Sequence, residues 1–167
     1  MPSPYFCSIR TYKVVFQFNK TKKNQIMTKN SVTTVWKEKM QFESDNPSGL
    51  SLNMDAGEEN GGEGKGYRPK ALMLSSLAGC SGLDVVSLLE KMRVQITDFK
   101  IEVTGELTEE HPKFYHKVKV DYHFTGSNLK EDKIQKAVNL SVTKYCGVME
   151  MFRQFAEVET AIFLHEK

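Results

Sequence analysis

The chain has no large excess of either charge, too few cysteines for a disulfide scaffold, and no glycine motif of the nucleotide-binding kind. Its formal charge is +2 over 167 residues. Arg10, Lys13, Lys20, Lys22 and Lys23 all precede Met27 in a stretch without a single acid, which leaves the remainder at a net −3. A groove that neutralises several phosphates leaves a positive excess on the folded part, so no nucleic-acid partner is expected. Three cysteines do not make the framework of a small secreted domain, and thiols in this number suit a reducing compartment, so the expected location is cytoplasmic. Gly61, Gly62, Gly64 and Gly66 match neither a dinucleotide fingerprint nor a P-loop, and the polar segment around them reads as an exposed loop. The apolar patch TYKVVFQF is too short, and too interrupted by Lys13 and Gln17, to span a bilayer, and no small-residue cleavage site follows it. Neither a membrane partner nor secretion is expected. Residues 1–26, with Cys7 among them, read as a basic extension that is either disordered or a mis-assigned start, and 27–167 as a single domain.

What is present is a chain with 40% hydrophobic residues, enough to build a core without disulfides. TTVWKEKMQF from Thr33 to Phe42 and the short run from Leu50 to Met54 flank the turn-rich SDNPSG, which predicts an N-terminal β-hairpin with a long loop. Pro69 suits the first position of a helix, and apolar residues nearly all round from Ala71 to Met92 predict a long, buried central helix. The period then changes to two. Phe99, Ile101 and Val103, and later Val118, Val120, Tyr122 and Phe124, alternate with polar residues as in an antiparallel strand pair. His116 and His123 in these strands read as surface or edge residues rather than metal ligands. Asn128 and Glu131 have the spacing of a capping box, after which Ile134, Ala137, Val138, Ser141, Val142 and Tyr145 trace one face of a second helix. Gly147 reads as a break, VMEMFRQF as a short helical piece, and Val158 to Leu164 as a closing strand. Strands and helices in blocks make an α+β fold.

Two thiols stand out against this background. Cys80 lies inside the apolar helix, flanked by Gly79 and Gly82, each costing about 1 kcal/mol of helix propensity relative to alanine. Small residues there allow another backbone or a ligand to approach the sulfur, and Ser76 and Asp84 lie one turn to either side of it. Cys146 falls near a helix end, where unpaired backbone N–H groups lower a thiol pKa.

The stretch GYRPKALMLSSLAGCSGLDVVSLLEKMR resembles the central-helix signature of the OsmC family, the osmotically inducible and organic hydroperoxide resistance proteins. KYCGV, Lys144 to Val148, resembles that family's second cysteine site, and the likeness spans roughly Thr33 to Lys167. The resemblance implies intertwined homodimers with long central helices packed between sheets and an active site at the subunit interface. It also implies a peroxidatic cysteine at Cys80 that becomes a sulfenic acid, a resolving cysteine at Cys146, and a dithiol reductant such as a lipoylated protein. That scheme uses no metal, haem or flavin cofactor.

The chain departs from the peroxidase branches at three places and is closer to a less characterised OsmC-like subgroup. Those branches stabilise the thiolate with an arginine from the hairpin, held by a glutamate after the proline; here the hairpin has Lys37 and Lys39, and Lys70 follows Pro69. Gly147 stands where the peroxidases usually carry proline. Two readings follow. One is a thiol-dependent hydroperoxide reductase with Cys80 and Cys146 as catalytic residues and a substitute cation from Lys37, Lys39 or Arg68. The other is a non-peroxidase protein that binds a small apolar or acyl ligand at the dimer interface, with Met73, Met149 and Met151 lining an adaptable pocket.

Overall fold

Among the described residues, six strands divide into two sheets, and three α-helices all pack with the second. The computed structural model describes residues 29–166, so the basic extension of residues 1–26 lies outside the described residues. β1 (Thr34–Glu38), β2 (Gln41–Asp45) and β3 (Ser51–Met54) form an antiparallel N-terminal sheet in the order β1-β2-β3. β4 (Asp98–Leu107), β5 (Tyr115–Gly126) and β6 (Glu157–Glu166) form a C-terminal sheet with β5 in the middle. Helices α1 (Pro69–Lys91), α2 (Glu131–Leu140) and α3 (Gly147–Arg153) complete the α+β architecture.

The predicted hairpin is a three-stranded meander. The run Thr33–Phe42 is not one strand: it turns back at Lys39 and Met40, with Trp36 facing Phe42 and Glu38 facing Gln41. Lys39 takes a left-handed φ of 45°, a conformation usually left to glycine or asparagine, and the Trp36 indole N–H donates to its carbonyl at 3.0 Å. No turn residue advertises this reversal. Trp36, Phe42 and Met54 are consecutive cross-strand partners and so share one face, yet every residue of β1 is exposed and Trp36 keeps 62% of its surface.

α1 begins with Pro69 at its first turn and stops where Arg93 adopts a φ of 55°. Leu77, Ser81, Val85 and Leu89 are its buried stripe, spaced at four residues, and the helix lies against β4, α2 and α3. Gly82 makes this contact close, since a Cβ there would stand 3.1 Å from Ile101 Cδ1. On the other side Leu83 and Val86 are exposed, Leu83 at 76%, and Met73, one turn before the stripe, is exposed as well. The helix is apolar and long enough to cross a bilayer, but here that stripe packs into the core.

The C-terminal sheet holds the core. Val118, Val120, Tyr122 and Phe124 on β5 are almost wholly buried against Leu77, Val85, Leu89, Ile134, Ala137 and Phe152. At about 25 cal/mol per Å2 of apolar surface, each such side chain contributes roughly 1.5–3 kcal/mol. β4 and β5 pair antiparallel as the alternation predicts, whereas β6 pairs with β5 in parallel, which α2 and α3 make possible as the crossover.

Two features at α2 differ from expectation. Asn128 does not cap the helix: it has a φ of 55°, and Lys130, without a side-chain cap bond, occupies the N-cap position. Beyond α2 the chain widens into a π-turn, Ser141–Tyr145, closed by a bond from Cys146 N–H to Ser141 C=O at 2.9 Å. The extra residue advances the following chain by about 100° relative to an uninterrupted helix. Ser141 and Val142 stay buried as predicted, while Tyr145 turns outward. The break falls at Cys146, in extended conformation, and Gly147 already belongs to α3.

Candidate functional site

α1 and the π-turn bring the two predicted cysteines together. A sulfur of Cys80, a sulfur of Cys146 and a carboxylate oxygen of Asp84 all lie within 4.8 Å of one another. Cys80 and Asp84 are one turn apart on α1, and Cys146 arrives from the N-terminus of α3. Both cysteines are free thiols; Cys80 is half-buried and Cys146 only 4% exposed.

Cys146 caps α3, and its sulfur accepts a hydrogen bond from Met149 N–H at 3.3 Å. That contact favours a thiolate, as the sequence suggests for a helix start. Burial outweighs it. Loss of solvent, together with the adjacent Cys80 sulfur and Asp84 carboxylate, pushes the Cys146 thiol up to about 11, so it is protonated at neutral pH.

Behind the trio runs a buried line of hydroxyls. Tyr122 and Ser81 meet at 2.7 Å, Ser81 and Ser141 at 2.9 Å, and Ser141 donates to Asp84 Oδ2 at 3.3 Å. With Tyr122 donating to Ser81 and Ser81 to Ser141, the single Ser141 proton has two acceptors at 3.3 Å, the Asp84 carboxylate and the Ser81 carbonyl. Burial raises the Tyr122 phenol above its ordinary range, opposed by its bond to Ser81, so it remains a donor. This line is missing from the sequence expectations. Its signal is the presence of serines on two otherwise apolar helix faces, since a polar residue at a buried position is the informative exception.

The predicted substitute cations are held elsewhere in the chain. Lys37 pairs with Glu43 at 3.2 Å, Lys39 with Glu63 at 2.5 Å, and Arg68 donates to the Asp55 carbonyl at 3.2 Å. Glu63 also takes Lys65 at 2.8 Å, and hydrogen bonds from Lys39 and Lys65 pull its carboxyl down to about 2. Lys144, Glu150 and Arg153 line a cavity of about 340 Å3 together with Cys146. Among the described residues no ion pair reaches Asp84. Of the three methionines, Met149 is core, while Met73 and Met151 are exposed. His116 is exposed, but His123 is half-buried on the central strand, with Nδ1 3.2 Å from His165 Nε2 and Nε2 3.1 Å from a Glu102 oxygen.

Similar proteins share this arrangement of elements. Protein YhfA of Escherichia coli (strain K12) is 33% identical over 123 residues, covering 74% of this chain and 89% of YhfA. The crystal structure of a hypothetical protein from Aquifex aeolicus VF5 superposes with a TM-score of 0.74 at 29% identity, covering 84% of this chain and 99% of the other. An organic hydroperoxide resistance protein OsmC from Legionella pneumophila has the same fold, with a TM-score of 0.64 at 17% identity, over 83% of this chain and 99% of that one. The family model described as OsmC-like protein matches residues 62–161, a span that holds α1, both cysteines and most of the C-terminal sheet. On that match and on the identity to YhfA, the chain belongs to the OsmC-like protein family.

Proposed function

We propose that the protein reduces organic hydroperoxides with the thiol pair Cys80 and Cys146. The observation that carries this reading is the convergence of the two sulfurs to within 4.8 Å from positions 66 residues apart. Cys80 is the more exposed thiol and meets the peroxide. Its sulfur attacks one peroxide oxygen, the O–O bond breaks, and the other oxygen leaves as an alcohol after taking a proton; sulfur is oxidised to a sulfenic acid as the peroxide is reduced. Cys146, protonated and sheltered, then displaces the sulfenic oxygen as water, and an S–S bond of about 2.05 Å forms. An external dithiol reduces that bond and becomes a disulfide itself, and a reducing cytoplasm supplies it.

Asp84 serves as proton carrier in this scheme. A neighbouring carboxylate disfavours a standing thiolate, but within 4.8 Å of both sulfurs it can accept the Cys80 proton through one water as attack proceeds and return it to the alkoxide. The protein works as a homodimer. The exposed Trp36–Phe42–Met54 face and the exposed Leu83 and Val86 of α1 are apolar surfaces that a second copy covers.

The test is consumption of cumene hydroperoxide with a dithiol as reductant. Cys80→Ser abolishes turnover, and Cys146→Ser permits one oxidation per chain and then stalls as the sulfenic acid over-oxidises. Turnover in Cys80→Ser equal to wild type refutes the proposal. A dimer that retains a small apolar or acyl molecule through purification and consumes no peroxide favours the ligand-binding reading instead.

A further inference from the structure

We infer that the reduced protein binds one zinc ion between Cys80, Cys146 and Asp84. Two sulfurs and one carboxylate oxygen within 4.8 Å of one another form a donor set from residues on separate elements. Zn–S bonds of about 2.3 Å and a Zn–O bond of about 2.0 Å in a tetrahedron place two sulfurs about 3.8 Å apart and a sulfur and the oxygen about 3.5 Å apart, so the trio needs to contract by no more than about 1.3 Å. Side-chain rotation supplies that much without moving α1 or α3.

Three further observations support a cation rather than a chance grouping. The carboxylate is aimed from behind: Ser141 donates to Asp84 at 3.3 Å, and Ser141 is itself anchored by the fully buried Ser81 and Tyr122, which is the outer support that metal ligands characteristically have. No basic side chain among the described residues forms an ion pair with Asp84, so its carboxylate charge is not already taken by a lysine or arginine. Cys80, only half-buried, leaves one side of the trio open to a water as fourth ligand. Two thiolates select a borderline-soft ion over magnesium or calcium. Zinc so bound occupies both sulfurs and protects them from oxidation. The site needs only the reduced thiols and does not depend on peroxide turnover.

The experiment uses the full-length chain, reduced and metal-free, titrated with Zn2+ against a chromophoric chelator and, separately, with Co2+. One Zn2+ binds per chain, and Co2+ produces the near-ultraviolet absorption of thiolate-to-cobalt charge transfer. Cys80→Ser and Cys146→Ser each weaken Zn2+ binding by on the order of 100-fold and remove or halve that absorption, whereas Ser141→Ala weakens binding about 10-fold. Absence of the cobalt–thiolate absorption in the wild-type protein, which needs no variant to fold, overturns the site. So does equal Zn2+ affinity in wild type and in Cys80→Ser/Cys146→Ser, which places the ion elsewhere, for example at His123 and His165. Peroxide consumption by the same metal-free preparation judges the enzymatic proposal separately: an inert protein that binds zinc keeps this site, and an active one that does not loses it.

Discussion

The two sheets of this protein have the same number of strands and opposite relations to the rest of the chain. The C-terminal sheet covers its apolar face with three helices, and Tyr122 and Phe124 at its centre have no exposed surface. The N-terminal sheet presents Trp36, Phe42 and Met54 on one face and leaves Trp36 and Phe42 exposed. An exposed apolar face of this kind is the surface feature that marks an interaction site, which the second sheet does not present. One half of this fold buries its apolar face within the chain, whereas the other leaves its apolar face uncovered.

The contrast is testable by truncating each face. Phe124→Ala removes about 3–5 kcal/mol of stability, read from urea unfolding at any protein concentration, because the cavity lies inside one chain. Trp36→Ala combined with Phe42→Ala acts on assembly instead. The dimer dissociation constant rises at least about 100-fold, measured by analytical ultracentrifugation, while unfolding of the dissociated chain shifts by less than about 1 kcal/mol. If the double substitution destabilises the dilute chain as much as Phe124→Ala does, the two sheets are not the different objects described above.

Smaller effects separate the halves by pH. Glu63 ties Lys39 of the first sheet to Lys65, and its carboxyl is depressed to about 2, so that stabilisation is complete above the ordinary glutamate value and is lost as pH falls toward 2. Cys146 has the opposite sign. Its pKa is raised to about 11, so its contribution is complete below the ordinary thiol value and is lost as pH rises toward 11. Stability profiles of Glu63→Gln and Cys146→Ala, each subtracted from wild type, therefore diverge at opposite ends of the scale. An alkaline loss that is identical in wild type and Cys146→Ala assigns it to other groups.

The C-terminal half is the more legible from sequence, for a physical reason. Its strands alternate because one face is dry, so burial writes itself into periodicity at β4 and β5, whereas α1 is apolar nearly all round and only its stripe of Leu77, Ser81, Val85 and Leu89 is buried. The turn at Lys39–Met40 leaves no such mark, since the left-handed residue is a lysine held by a tryptophan N–H. The parallel pairing of β6 is equally silent, as alternation reports a face and not a direction. At the site, the type and position of Cys80 and Cys146 are legible through the resemblance, but their convergence depends on the π-turn. The candidates Lys37, Lys39 and Arg68 illustrate the limit of composition: positive charge is present, and local carboxylates and a carbonyl have already claimed it.

The π-turn at Ser141–Tyr145 makes the site a matter of counting. Thr143 and Lys144 are exposed within this turn. Removing either residue closes the helix to its usual pitch and swings Cys146 by about 100°, away from Cys80 and Asp84. Two thiols are thus kept in register by the length of five residues, and a single deletion there uncouples them without touching either.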